Sequence, residues 1–276
     1  MSKYRLTILV DNRADTGLIS EHGFALFMET PAGNVLLDSG QNAALLPNAR
    51  TLGIELDQTA ILVLSHGHYD HTGGVVDLLE LNKSLEIYLH SGVFQPRYSL
   101  GNDTAKIIKM PLTAMEAIMH HPDSRVHWLT RPTDLHEGIG ITGPIPRNCT
   151  FEDTGGKFFL DPEGKEIDII RDDNAIWLQG KNGLTICLGC CHAGLLNTLD
   201  YIVKLTGEKR IDTIIGGLHL LQADESRLNK TADRLRRFDI RRITACHCSG
   251  AAAIDYLASH LSCEVIQGYA GMAIDV

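Results

Sequence analysis

Three histidines and one aspartate occupy six consecutive positions in His66-x-His68-x-Asp70-His71. Histidine is seldom fully buried without a partner, and clustered imidazoles repel one another as they protonate, so packing alone does not account for them. Neutral imidazole nitrogens and a carboxylate are what Zn²⁺, Fe or Mn take as ligands. His66 and His68 are alternate residues and can point the same way. Asp70 and His71 fall where the chain turns and can point to a neighbouring spot, a geometry suited to two metals side by side. The plain alternative is a polar surface loop with incidental histidines, and so dense a motif argues against it.

The flanking residues supply the support such a cluster needs. Ala60 to Leu64 is a short apolar run that predicts a buried strand, and Thr72-Gly73-Gly74 opens a run of helical spacing from Val75 to Leu81. The cluster therefore sits on a strand-to-helix loop, where functional residues concentrate. Further strands are predicted over Leu6–Val10, Ala25–Met28, Val35–Leu37, Glu86–His90, Arg125–Leu129 and Gly140–Gly143. Residues 91–122 lack strand periodicity and are expected as helix and loop, a cap over one edge and over the pocket. In the second half a hairpin is predicted from Ala175–Gln179 and Leu184–Leu188. It is followed by alternating helices and strands, ending with the strand Glu264–Ile266. Strand hairpins followed by helices, occurring twice, suggest two similar halves packed face to face. Three more histidines follow predicted strands: His192, His219 and His247. Neighbouring strand ends gather along one edge of a layered sheet, so all three can join the first cluster.

His-x-His-x-Asp-His after an apolar strand, with a Gly-rich helix start behind it, resembles the metallo-β-lactamase superfamily of metal-dependent hydrolases. Val35-Leu36-Leu37-Asp38-Ser39-Gly40 is similar to that superfamily's early strand ending in Asp-x-Gly. Asp11-Asn12, Glu21-His22-Gly23, Gly189-Cys190-Cys191-His192, Gly216-Gly217-Leu218-His219-Leu220 and Cys246-His247-Cys248-Ser249-Gly250 resemble one branch of it, the 7,8-dihydropterin-6-methyl-4-(ribofuranosyl)aminobenzene-5′-phosphate synthase-like proteins. The resemblance implies an α/β fold, a four-layer αββα sandwich, across a single domain spanning residues 1–276. It implies one metal held by His66, His68 and His192, and a second held by Asp70, His71 and His247. Asp70 would also be the catalytic proton acceptor. Asp38, His22, His219 and Cys190 are expected around the metals or against substrate. One or two divalent transition metals per chain are implied, zinc first, with iron or manganese as alternatives.

The chain departs from the superfamily at the bridging aspartate. The matching stretch reads Gly189-Cys190-Cys191-His192, so either His192 takes that place or Cys190 or Cys191 brings a thiolate. Asp172 or Asp173 could stand for the usual third histidine. Cys187 and Cys263, in strand-like runs, read as small buried apolar residues. Arg97, Lys109 and Arg147 are candidate anion contacts.

The net charge of −9 argues against nucleic acid or an anionic membrane as partner. A small anionic substrate stays open, because bound cations reverse the local field. No apolar stretch approaches a membrane span of ~20 residues, and the N-terminus turns polar too soon for a signal peptide. Seven cysteines, four of them beside site histidines, fit a reduced cytoplasmic protein better than a disulfide scaffold. A homo-oligomer is compatible with all of this. There is no Gly-x-Ser-x-Gly elbow, Walker loop or dinucleotide fingerprint. The expected function is hydrolysis of a small anionic ester, phosphoester or lactone by metal-activated water. The alternatives are a pterin-linked transfer, in which an arylamine displaces pyrophosphate from a dihydropterin methyl group, and a non-catalytic, metal-stabilised binding protein.

Overall fold

The computed structural model describes residues 3–101 and 104–276. The first half contributes strands β1 (Arg5–Val10), β2 (Ala25–Glu29), β3 (Asn34–Leu37), β4 (Thr59–Val63), β5 (Glu86–Leu89), β6 (Tyr98–Gly101), β7 (Thr104–Ile107) and β8 (Val126–Trp128). Then come β9 (Thr133–His136), β10 (Ile139–Ile141), β11 (Phe158–Phe159), β12 (Ala175–Gly180), β13 (Gly183–Leu188), β14 (Arg210–Gly217), β15 (Asp239–Cys246), β16 (Glu264–Gln267) and β17 (Ala273–Asp275). The helices are α1 (Leu45–Thr51), α2 (Tyr69–Thr72), α3 (Val75–Leu81), α4 (Leu112–His120), α5 (Leu195–Thr206), α6 (Glu225–Leu235) and α7 (Ala251–His260). No helix among the described residues is long and apolar enough to cross a membrane.

Two seven-stranded sheets form, in the orders β17-β1-β2-β3-β4-β5-β8 and β16-β15-β14-β13-β12-β10-β9. Period-two alternation of apolar side chains gives each sheet two buried faces. Leu6, Ile8, Leu26 and Val63 of the first sheet meet Ile176, Leu178, Cys187 and Ile215 of the second in an inner core. The outer face of the first sheet, with Leu36, Leu62 and Ile87, packs on Leu45, Leu78 and Ile118 from helices α1, α3 and α4. The outer face of the second, with Ile186, Ile214 and Ile243, packs on Leu199, Leu235 and Leu257 from α5, α6 and α7. Helix, sheet, sheet, helix is the αββα sandwich.

Strands β3, β4, β5 and β8 are parallel, as are β13, β14, β15 and β16. Their carboxyl ends deliver residues 38, 64–66, 189–192, 218–219 and 247 to one edge of the sandwich. Several turns there are tight enough to hold non-glycine residues in the left-handed region: Asp38 at φ 62°, Cys191 at 62°, His219 at 48° and His247 at 48°. Such strain persists where surrounding structure over-determines it, and it clusters at functional sites.

Residues 91–122 differ from the helix-and-loop cap expected. β6 and β7 form a hairpin that joins β11 in a small three-stranded sheet, while α4 packs against the outer core. Chain reversal by two short strands of mixed polarity leaves little period-two signal. The hairpin lies beside the metal-motif loop: the backbone of Lys109 bridges that of His68, and Lys106 Nζ donates to Tyr69 Oη at 3.0 Å.

Arg97 is not an anion contact. It is fully buried, with Nε 2.9 Å from Asp168 Oδ2 and Nη1 donating to Asp172 Oδ2 at 2.9 Å. The same Asp172 Oδ2 accepts from the Gly67 N–H at 2.8 Å, so this ion cluster fixes the backbone between His66 and His68. Gly67 itself is required because a Cβ there would lie 2.2 Å from the Val93 carbonyl oxygen. Removing one partner strands a buried charge, so Arg97→Ala should lower folding stability by about 3–5 kcal/mol in denaturant unfolding, whereas Lys109→Ala stays within ~0.5 kcal/mol.

Candidate metal centre

The loop after β4 carries Ser65, His66, Gly67 and His68, and α2 carries Asp70 and His71. All the polar residues among these are buried. His66 Nε2 and His68 Nδ1 lie 2.9 Å apart, and His192, at the end of β13, completes a set of three whose ligand atoms lie within 4.8 Å of one another. The His192 ring donates from Nδ1 to the Thr154 carbonyl at 2.8 Å. That leaves its Nε2 buried with no partner, and His68 Nε2 is also buried and unpartnered. Orphaned polar atoms of this kind are rare and costly. Burial, followed by the neighbouring imidazoles, pushes His66 and His68 well below the ordinary histidine range, and burial does the same to His192. The three rings are therefore neutral at pH 7, the form that binds a cation. Ligands about 2.1 Å from a tetrahedral ion stand about 3.4 Å apart, so the cluster fits Zn²⁺ with a small adjustment.

Asp70 sits one step along. Its Oδ2 is 3.1 Å from His22 Nε2 and 3.3 Å from His247 Nε2, and these three form a second ligand set. Burial alone would raise the Asp70 carboxyl, but the hydrogen bonds from His22 and His247 outweigh it and hold the group well below the usual carboxylate range. His22, half exposed, is thus a partner of Asp70 rather than a free rim residue. His71 stands between the two sets, its ring centroid 4.3 Å from that of His66 and 5.1 Å from that of His247. Its Nε2 faces Cys190 Sγ at 3.1 Å.

The supports of these ligands are as specific as the ligands. Asp38, at the end of β3, accepts from His71 Nδ1 at 2.6 Å, from Ser65 Oγ at 2.6 Å and from Ser65 N at 2.7 Å. Ser65 Oγ is in turn 2.9 Å from His66 Nδ1. Burial would lower His71, yet the facing Asp38 carboxylate lifts it to about 9. By holding Nδ1, Asp38 turns His71 Nε2 inward. Across the sandwich, Asp11 Oδ1 accepts from the His247 N–H at 2.7 Å, and Asn12 Oδ1 is 2.8 Å from His247 Nδ1. The Asp11-Asn12 pair carried part of the family resemblance, but its role is visible only when β1 and β15 are seen side by side.

His219 rests with its ring 4.2 Å from that of His192, its Nδ1 buried and unpartnered, and burial lowers it to about 4. Phe158 of β11, not anticipated from its Gly- and Asp-rich surroundings, covers the cluster 5.3 Å from both His68 and His192, edge-on to His192 and tilted against His68. Neither Asp172 nor Asp173 stands in a ligand set among the described residues. Asp172 is committed to Arg97 and Gly67, and Asp173 accepts from the Ala193 N–H at 2.7 Å, its carboxyl raised by burial to about 7. Arg147, exposed, braces the backbone here: Nη1 donates to the His192 carbonyl at 2.6 Å, and Nη2 to the carbonyl of Ile170 at 3.3 Å. All seven cysteines are free thiols.

Residues 21–169 match the family model described as the metallo-beta-lactamase superfamily. A 7,8-dihydropterin-6-methyl-4-(beta-D-ribofuranosyl)-aminobenzene-5′-phosphate synthase of Methanocaldococcus jannaschii is 28% identical over 252 residues, 85% of this chain and 83% of the relative. An uncharacterized protein of the same organism, MJ0448, is 29% identical over 98% of this chain and 100% of its own. Among solved structures, Tm1679, described as a metal-dependent hydrolase of the beta-lactamase superfamily, superposes with a TM-score of 0.85 at 26% identity, covering 99% of both chains.

Loss of the Asp38 charge should loosen the centre without touching a ligand. Asp38→Asn is expected to weaken metal binding about 10–100-fold, as read by competition against a chromogenic chelator. An unchanged affinity would remove Asp38 from its supporting role.

Proposed function

The chain belongs to the metallo-beta-lactamase superfamily, and from that premise we propose that it is a metal-dependent enzyme that hydrolyses a small anionic ester, phosphoester or lactone. The observation that carries this reading is the convergence of neutral imidazoles from His66, His68 and His192 beside the charged Asp70 carboxylate. A divalent ion held there, zinc first and iron or manganese next, supplies Lewis acidity and a water acidified towards neutral pH. Asp70 accepts the proton of the attacking nucleophile. His22, hydrogen-bonded to Asp70 and half exposed, then passes that proton to solvent. His247 holds Asp70 from the other side, and Asn12 holds His247.

With Arg97 and Arg147 committed to structure, the anion falls to other cations. A cavity of about 610 Å³ opens beside His219 and is lined by Lys157, Arg227 and Lys230 together with Asp153 and Asp224. Arg227 is paired with Asp153 and Glu152, so Lys157 and Lys230 are the cations this pocket leaves for an anion, in a chain of net charge −9. Its volume suits a small molecule. The reacting bond sits at the histidine cluster and the anionic end of the substrate reaches past His219 into this pocket. Free thiols throughout support a reducing, cytoplasmic setting.

A second reading is transfer of a dihydropterin methyl group to an arylamine with release of pyrophosphate. The synthase relative, similar over most of both chains, favours it. Phosphodiesters, lactones and neutral esters, and separately a pyrophosphorylated pterin with an arylamine phosphate, discriminate the two. Hydrolysis products without an arylamine adduct support the first reading, and a pterin–arylamine product supports the second. No turnover in any arm of this panel with metal-loaded protein would leave a binding protein.

Asp70→Asn keeps the shape and removes the proton acceptor, so kcat should fall at least ~100-fold with the circular dichroism unchanged. Near wild-type kcat would show that Asp70 has another role. The double change Lys157→Ala with Lys230→Ala should raise KM several-fold for a phosphorylated substrate and leave a neutral ester unaffected. Equal effects on both would move the anion elsewhere.

A further inference from the structure

Cys190 is a member of three ligand groupings: with His66 and His71, with His192 and His219, and with His247 and Cys248. Its neighbours therefore come from across the site: His66 and His192 from the first set, His247 from the second, and His71 from between them. It is fully enclosed, at 3% exposure, and its Sγ is 3.1 Å from His71 Nε2, the nitrogen that Asp38 turns inward. Gly189 before it admits no side chain, since a Cβ would lie 2.1 Å from Ser65 Oγ, so the backbone leading into Cys190 is pressed against Ser65. Cys191 next to it faces the other way. The left-handed φ of 62° at Cys191 turns its side chain into the outer core, where Sγ is 3.4 Å from Thr198 Oγ1.

We propose that Cys190, and not Cys191, supplies a thiolate that lies between the two metal ions and binds both. The inference rests on the metal-dependent reading and adds a sulfur ligand that the His66/His68/His192 and His22/Asp70/His247 sets do not contain. On metal binding the Cys190 S–H bond breaks, the proton leaves to buffer, and the sulfur lone pairs form the metal bonds; no oxidant or reductant is involved. A cation on each side supplies the charge that a buried thiolate needs. A thiolate in the bridge also sets the metal preference. Zinc and ferrous iron accept sulfur well, and manganese does so poorly.

The test is spectroscopic. Wild-type protein and the variants Cys190→Ser, Cys191→Ser, Cys248→Ser and Cys190→Asp are loaded with Zn²⁺ for X-ray absorption and with Co²⁺ for electronic spectra. Metal content of each is measured by elemental analysis. Wild type, Cys191→Ser and Cys248→Ser should show a metal–sulfur shell at about 2.3 Å and a sulfur-to-cobalt charge-transfer band. The band should grow through the second equivalent of Co²⁺, because both ions touch the sulfur. Cys190→Ser should lose the shell and the band and bind zinc at least ~10-fold more weakly. Cys190→Asp should recover metal content with oxygen and nitrogen scatter alone. Wild type holding metal without a sulfur shell would overturn the Cys190 assignment and leave the metal-dependent reading standing. A shell that survives Cys190→Ser and disappears in Cys248→Ser would give the role to Cys248. A band saturating at one equivalent would overturn the bridge, and wild type holding no metal would overturn the inference together with the reading beneath it.

Discussion

A single buried carboxylate, Asp38, organises the site. It has no exposure to solvent, and its oxygens accept from His71, from the Ser65 hydroxyl and from the Ser65 backbone N–H. A buried charge is tolerated only with such partners, and each of these partners controls a ligand. His71 is held in one orientation through its Nδ1, and Ser65 hands the constraint on to His66. The left-handed backbone at Asp38 lets the carboxylate turn back beneath the loop after β4. Sequence order thus becomes spatial order: β3 ends in the support, and parallel β4 beside it ends in the ligands.

The same logic is repeated across the sandwich. Asp11 and Asn12 at the end of β1, in the first sheet, hold His247 at the end of β15, in the second. The sheets are joined by an apolar inner core over most of their area and by this polar contact at one edge. Ligands from both sheets are therefore positioned by packing of the whole fold. Folding takes His66, His68 and His192 out of water, which keeps them unprotonated, and it leaves His192 Nε2 and His68 Nε2 without partners. Stability is given up at that edge, in unpaired nitrogens and in left-handed turns at Cys191, His219 and His247, and the three hydrophobic cores behind it offset the cost.

Much of this was legible in the sequence, for reasons that can be named. The strands that feed the site are parallel or central and buried on both faces, so they read as unbroken apolar runs. Their ends carry histidine, cysteine, glycine and aspartate, which the core has no use for. What escaped notice depends on contacts between distant residues. Arg97 looks like any solvated cation until Asp172, 75 positions away, and Asp168 are brought against it. Asn12 acquires a role only through His247, 235 positions on. The β6–β7 hairpin and Phe158 belong to short strands whose pairing with one another, and not their composition, makes them structure.

The most direct measurement of the account is anomalous diffraction at the zinc edge from crystals of zinc-reconstituted protein. Two peaks are predicted at the shared strand edge. One should lie among His66, His68 and His192, and the other beside Asp70, His71 and His247, with His22 at its margin. Absence of any peak at these residues, or zinc bound at other residues with the histidine cluster unchanged, would contradict it.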